Sequence, residues 1–405
     1  MLNPFKPGAG HPPPYLAGRE TEKKEFKNLL DQETVLNNLV ITGLRGVGKT
    51  VLLEELKPIA AKEKWLWVGT DLSESTSVNE ETVALRLMTD LSLVTSSIIL
   101  RKESVGVGFS KITIQENKLT YSALKGLYSE IPGLVADKLK TILEFVWSCT
   151  KGLGAKGIIF AYDEAQTMSD HADKDQYPLS LLLDVFQSIQ KKNVPFMLVM
   201  VGLPTLFPKL VEARTFAERM FNVQMLSKLN TQASREAITK PFERSDLTVQ
   251  FSKSTIDLII KTSGGYPYFI QFICKELFDA FTQQLTLDGR ISPIPFDGII
   301  KKLDKDFFAG RWAKATDRQR QLLSIISRLE NCDEEFTVQE IVLESKKTKS
   351  PFGASHVNQM LAALGNSGLI YKNRHGRYAF AVPLLGQFIR RQEKEDRQPN
   401  LPGIA

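Results

Sequence analysis

This chain is poor in the residues that announce disulfide or metal chemistry. Its 405 residues hold three cysteines and four histidines. Cys149, Cys274 and Cys332 stand far apart and odd in number, in apolar or helical surroundings. That excludes a disulfide framework and reads as core thiols of a reduced compartment. The histidines share no ligand spacing, so no structural metal is expected. Long hydrophobic runs are missing as well. The longest, such as 194–207, are broken by proline and too short to span a bilayer. The Pro-rich N-terminus has no apolar signal core, so the expected location is cytoplasmic, with no membrane partner. Charge of one sign is only mildly in excess: a net +6 and a pI near 9.0 permit contact with nucleic acid without demanding it. The length suits two or three domains.

What is present is organised around Gly43-Leu44-Arg45-Gly46-Val47-Gly48-Lys49-Thr50, which fits G-x-x-x-x-G-K-[ST]. Glycines let the backbone wrap a polyphosphate and aim successive N–H groups at it. Lys49 can reach the β- and γ-phosphates, and the Thr50 hydroxyl can ligate Mg²⁺. Leu39-Val40-Ile41-Thr42 reads as a buried strand entering the loop. A helix beginning at Val51 leaves it, and its N-terminal dipole adds to the anion site. Gly43, Arg45, Gly46, Val47, Gly48, Lys49, Thr50 and Val51 are therefore the candidate nucleotide-binding positions.

The second chemical landmark is Ile158-Ile159-Phe160-Ala161-Tyr162-Asp163-Glu164. The apolar run fits a central parallel strand buried on both faces. It ends in two carboxylates at the sheet edge where ligands gather. Asp163 is expected in the Mg²⁺ shell, and Glu164 is expected to polarise the attacking water.

Around these landmarks the remaining segments fall in order. An extended Pro-rich arm precedes Tyr15-Leu16-Ala17-Gly18-Arg19-Glu20, which opens a helix through about Leu30. Two readings stay open there: a capped leading helix, or a turn in which Leu16, Gly18 and Arg19 meet the nucleotide's base. Trp65-Leu66-Trp67-Val68-Gly69 reads as a strand ending at Thr70-Asp71. The long stretch 72–157 exceeds one β–α–β crossover and reads as carrying an insertion. Phe196-Met197-Leu198-Val199-Met200-Val201 is a further strand running into Gly202-Leu203-Pro204-Thr205. Residues 228–290 are helical, broken at Gly264-Gly265-Tyr266-Pro267-Tyr268-Phe269. After a loop-rich linker come three helices, at 317–329, 337–345 and 355–364, and two short strands. That pattern describes a winged helix-turn-helix. A polar tail begins at Glu393.

The order of these motifs, with Glu218-Arg219 between the last core strands, resembles the archaeal-type ATPases of the AAA+/STAND group of P-loop NTPases. These are similar in layout to replication-initiator and origin-recognition ATPases. The resemblance implies an α/β fold: a P-loop αβα sandwich with a parallel sheet (the AAA+ core), a helical lid and a C-terminal winged helix-turn-helix. The expected divisions are an arm and leading helix at 1–33, the core at 34–227, the lid at 228–290, a linker at 291–315, the winged helix at 316–395 and a tail at 396–405. ATP is implied between core and lid, with Lys49, Thr50, Asp163 and Glu164 in the roles given above. Arg219 would be an arginine finger reaching a neighbouring subunit, and Pro267 would lie by the nucleotide. Two departures favour a slow switch over fast hydrolysis. The 202–204 turn offers no Asn at the first sensor position, leaving Thr205. The lid break carries Tyr266-Pro267-Tyr268 where many relatives place an arginine.

Expected ligands are ATP, ADP and Mg²⁺, with self-association in the ATP state. For the winged helix two partners stay open: duplex DNA, or a protein. Its exposed helix at 355–360 carries no Lys or Arg, while Lys346, Lys347, Lys349, Lys372, Arg374 and Arg377 bracket it. That pattern suits phosphates rather than base edges. A small-molecule kinase is disfavoured by the chain spent on a lid and a third domain.

Overall fold

The computed structural model describes residues 2–8, 10–106, 112–244, 250–287, 296–374 and 376–397. By contact the chain divides into two units. One comprises Arg19–Gly43 and Lys49–Met225; the other comprises Met1–Gly18, Leu44–Gly48 and Leu226–Ala405.

The first unit is built on five strands: β1 (Asn38–Gly43), β2 (Trp65–Val68), β5 (Gly157–Tyr162), β6 (Phe196–Gly202) and β7 (Phe221–Leu226), in the order β2-β5-β6-β1-β7. β1, β5 and β6 are buried at every residue, as expected of strands covered on both faces. β7, at the sheet edge, alternates buried and exposed positions. β2 pairs parallel to β5, β5 to β6, and β6 to β1, with Tyr162 opposite Met200 and Thr42 opposite Gly202. The parallel register brings the carboxyl ends of β1, β5 and β6 to one edge of the sheet.

Between β2 and β5 lie helices Glu80–Thr95, Tyr121–Glu130 and Val135–Thr150 and a hairpin of β3 (Ile99–Gly106) and β4 (Ile112–Lys118). Residues 107–111, between these two strands, lie outside the described residues. The three helices are not an appendage. Val83, Leu87, Leu91, Leu124, Leu139, Ile142 and Val146 are buried in the same cluster as Phe160, Phe186 and Phe196. Buried Asp90 ties this region to β5 by accepting a hydrogen bond from the Tyr162 hydroxyl at 2.9 Å and pairing with Arg86.

In the second unit, helices Thr231–Arg244, Lys253–Ser263 and Pro267–Leu287 share one core with helices Asp317–Ser327, Val338–Ser345, Ala354–Asn366 and Leu385–Arg397. β8 (Ile370–Arg374) and β9 (Arg377–Phe380) form a hairpin, and Phe336 adds an antiparallel bridge to Tyr378. Thr316 and Thr337 each close a capping box on the helix that follows, satisfying free N–H groups at its start.

Three boundaries differ from expectation. The arm and leading helix divide between the units at Gly18/Arg19. The arm is anchored by Phe5, 2% exposed and edge-on to Phe242 at 5.3 Å. The expected linker 291–315 is largely helical. Phe296–Leu303 runs into a π-turn, Asp304–Ala309, because Ile299, Leu303 and Phe308 fall on one buried face. Its loop-signal residues, 291–295, lie outside the described residues. The polar stretch from Glu393 continues a helix to Arg397, held by Arg391 on Asp304 at 2.8 Å and Arg328 on Glu393 at 2.8 Å.

Candidate functional site

β1 ends at Gly43, and the chain turns through Gly46 (φ +78°) and Gly48 (φ +90°) before the helix Lys49–Lys62 starts. Both glycines sit in the left-handed region that side chains avoid, so the loop's shape requires them. Lys49 folds back over the loop and donates from Nζ to the Gly43 carbonyl at 3.0 Å. The Thr50 hydroxyl donates to Asp163 Oδ2 at 2.5 Å. Residues far apart in the chain thus meet because β1 and β5 end at the same sheet edge.

Asp163 is 3% exposed. Its Oδ1 accepts the Glu164 backbone N–H at 2.7 Å. Burial pushes its carboxyl above the ordinary carboxylate range, opposed by the Thr50 hydroxyl and the Glu164 amide and reinforced by the charges of Glu164 and Asp71. A buried carboxylate with its charge only partly compensated is suited to a cation.

Asp71 is a residue whose role the sequence did not reveal. Gly69 (φ +131°) lets the chain beyond β2 press against β5; a β-carbon there would stand 1.8 Å from the Ala161 carbonyl oxygen. The backbone then bridges Asp71 to Asp163, with Leu72 N–H donating to the Asp163 carbonyl at 2.9 Å. A third carboxylate therefore stands at the strand ends.

Glu164 itself is exposed and adopts a left-handed backbone (φ +51°) that turns the chain sharply after β5. Its carboxylate accepts a hydrogen bond from Gln166 Nε2. The other end of the Gln166 amide accepts the Leu203 N–H at 3.0 Å, and Lys209 Nζ donates to the Gln166 carbonyl at 2.7 Å. Gln166 thus links the Glu164 carboxylate to the turn after β6, where an Asn was absent. Burial lowers the pKa of Lys209, partly offset by Glu212 and Asp170. Neither Gln166 nor Lys209 belongs to a motif legible in the sequence. Thr205 lies at the start of helix Leu206–Ala213 without a side-chain capping bond.

The remaining candidates separate. Gly18 (φ +64°) packs closely on helix Thr231–Arg244, where an added β-carbon would stand 2.7 Å from Ala233 Cβ. Leu16 is half-buried in the same arm, and Arg19, 4% exposed, pairs with Glu22 at 3.3 Å. Pro267 opens its helix at the first turn, a position suited to proline. The residue that meets the phosphate loop is its neighbour: Tyr268 N–H donates to the Gly46 carbonyl at 3.1 Å. Val47 is buried, Val51 half-buried and Arg45 exposed. Arg219 is exposed on the short helix Ala217–Met220; its carbonyl accepts from the Asn37 side chain at 3.2 Å and its N–H donates to the Phe216 carbonyl at 3.0 Å. Arg214 is committed internally, with two bonds to Asp184 at 2.8 and 2.6 Å and one to Ser180 at 2.7 Å.

Strand order, glycine loop and edge carboxylates together define the class: a P-loop ATPase fold of the AAA+ kind. Solved structures agree. A Walker-type ATPase of Pyrococcus abyssi is 16% identical over 93% of this chain and 96% of that one, with a TM-score of 0.57. The Aeropyrum pernix ORC2 protein in its ADP form is 15% identical over 96% and 99%, with a TM-score of 0.55. The same protein in ADPNP–ADP complexes gives 14%, 96%, 98% and 0.53. At such identities the likeness is one of fold, and the resemblance read from motif order holds at that level. Residues 305–389 match a family model described as a domain of unknown function, DUF8462. No curated protein matches the sequence. Among the described residues no helix is long and apolar enough to cross a membrane, and no cluster of three or more His, Cys, Asp or Glu could hold a metal ion by protein ligands alone.

Proposed function

We propose that this chain binds ATP with Mg²⁺ and hydrolyses it slowly, as an AAA+/STAND-type switch whose nucleotide state controls self-association and a C-terminal winged helix. The 2.5 Å bond from Thr50 to buried Asp163 carries the reading. It joins the helix after the glycine loop to the end of β5, and both groups offer the oxygen donors that Mg²⁺ prefers. Bound there through one or two protein oxygens, the ion would neutralise phosphate charge and fix the polyphosphate's orientation. The loop's N–H groups and Lys49 would bind the phosphates; Glu164 would accept a proton from the attacking water.

Slow turnover is supported by Gln166, which holds the Glu164 carboxylate. The base must leave that bond before it can engage water. Arg219, exposed and without a carboxylate partner among the described residues, is free to reach the nucleotide of a second copy.

For the winged helix, one observation favours a protein-facing or autoinhibitory module over DNA. Glu335 accepts from Arg374 at 2.8 and 3.0 Å and from Asn373, so part of the wing's positive charge is already engaged. The exposed face at Ser355, His356, Asn358 and Gln359 carries no cation. Phosphate contact supplies most non-specific DNA affinity, so a wing with its charge engaged binds duplex weakly.

ATP titration of the intact protein and of Lys49→Ala tests the nucleotide reading. Affinity should fall by about a hundredfold or more when the cation facing the phosphates is removed. Equal affinity in both proteins would overturn it.

A further inference from the structure

Ser324, Ile325 and Arg328 follow one another at the spacing that places them on one face of helix Asp317–Ser327 and its C-terminal cap. Facing them, the chain between helices Val338–Ser345 and Ala354–Asn366 folds back on itself. Buried Ser345 holds that turn: its hydroxyl accepts the Phe352 N–H at 3.0 Å and donates to the Val342 carbonyl at 2.7 Å. Between the helix face and the turn lies a cavity of about 220 Å³, open to solvent on one side. Ile325 and Phe352, 3% and 4% exposed, form its floor. Arg328, Lys349, Ser324 and Ser350 stand around it.

The polar groups of this hollow are only partly engaged. Arg328 bonds to Ser324 at 3.1 Å and to Glu393 at 2.8 Å, both from Nη2, which leaves Nε and Nη1 open among the described residues. Among the same residues Lys349 Nζ has no carboxylate partner and the Ser350 hydroxyl makes no hydrogen bond. The Arg318 guanidinium lies over the Phe352 ring at 4.0 Å and adds positive charge at the floor. Size and lining then choose among occupants. The volume falls below the roughly 300–1,000 Å³ of pockets that enclose a whole small molecule. A DNA backbone presents phosphate and sugar, with no apolar group for an Ile–Phe floor. A peptide supplies both parts at once: an apolar side chain for the floor and an anionic neighbour for the cations.

We infer that this hollow receives an extended peptide segment of a protein partner, in which an anionic side chain, carboxylate or phosphate, stands beside an apolar one. The inference rests on the protein-facing reading of the C-terminal module given above. The apolar side chain covers Ile325 and Phe352. The anion takes the open edge of the Arg328 fork and the Lys349 ammonium, as arginine clusters do when they read acidic or phosphorylated motifs. The Ser350 hydroxyl donates to a remaining oxygen.

The test is a titration of the intact chain, labelled at its isoleucine methyls, followed at the Ile325 resonance. Three capped pentapeptides, with phosphoserine, glutamate or serine before a leucine, are compared with a random-sequence DNA duplex. The phosphoserine and glutamate peptides should shift the Ile325 methyl saturably with a Kd of about 1 mM, and the serine peptide should bind about tenfold more weakly. The tighter of the two acidic peptides identifies the anion. Glycine in place of its leucine should cost about tenfold. Lys349→Ala, at an exposed position, should weaken the acidic peptides by about fivefold with apo Tm unchanged, which separates binding from folding. Arg328→Gln should weaken them at least as much. No shift from either acidic peptide at about 10 mM, or unchanged binding in both variants, refutes the hollow and leaves the protein-facing reading to other surfaces of the module. A shift caused by the duplex and not by the peptides refutes both, and makes these cations phosphate contacts of a DNA interface.

Discussion

The rim of the five-stranded sheet and the C-terminal hairpin both carry dense polar chemistry, but they hold it differently. At the rim, strand ends fix the groups. Thr50, Asp163, Asp71 and the Leu203 amide all stand where β1, β5, β2 and β6 stop, and Asp163 is buried with little freedom. At the hairpin, Arg374 and Asn373 are on the surface and satisfied by Glu335. Such an exposed pair contributes little to stability. Arg219, on a four-residue helix, is also a surface charge, but unlike Arg374 it has no carboxylate partner among the described residues. Groups fixed by strand ends are preorganised for chemistry; charges on surface elements are not.

The largest effect is expected from Arg219→Ala. If a second copy uses this exposed arginine, hydrolysis should fall about a thousandfold with ATP affinity unchanged, and the parent's activity per subunit should rise with concentration. Hydrolysis indifferent to both would return Arg219 to the solvated surface. Glu164→Gln should keep ATP affinity and slow hydrolysis by about a hundredfold, because the amide cannot accept the proton. Parent-rate turnover would remove Glu164 as the base.

At the hairpin the expected effects are smaller. Glu335→Gln releases Arg374, and any duplex binding should then steepen in salt dependence by about one unit of slope. No duplex affinity at low salt, in either this variant or the parent, would leave the protein-facing module as the reading of this domain.

Much of the rim was legible in sequence because its causes are local. Strands buried on both faces appear as apolar runs, as in Ile158-Ile159-Phe160-Ala161, and the glycine loop needs its spacing to wrap phosphate. Asp71 was not legible, because its role depends on β2 lying beside β5 and on Gly69 allowing close approach. Gln166 was hidden for the same reason: its partners, Glu164 and Leu203, follow different strands. In the second unit the shared core was missed. A lid, a linker and a third domain were read as separate where Phe269, Phe308 and Phe388 pack together, with Phe308 on Phe269 at 5.8 Å and on Phe388 at 5.1 Å. The apolar residues of 296–308 have helical spacing, but the segment just before them carries loop signals that favour a linker.

The smallest effect concerns stability. Burial raises the Asp163 pKa, so its contribution favours the fold in acid and is lost as pH rises through the raised value. At neutral pH the ionised carboxylate therefore weighs against the apo fold. Asp163→Asn should raise apo Tm by roughly 2 °C at pH 7, and the gain should vanish below about pH 4. A lower Tm at pH 7 would show that the carboxylate is compensated within the protein.

The same variant gives the most direct test of the central claim, that the strand-end oxygens build an Mg²⁺-dependent nucleotide site. ATP affinity should be measured by calorimetry with Mg²⁺ and with the ion chelated, for the parent and for Asp163→Asn. The parent should lose about tenfold or more in affinity on chelation, and Asp163→Asn should show little response to the ion. An ATP affinity unaffected by Mg²⁺ in the parent, or a response to Mg²⁺ fully retained in Asp163→Asn, would contradict the account.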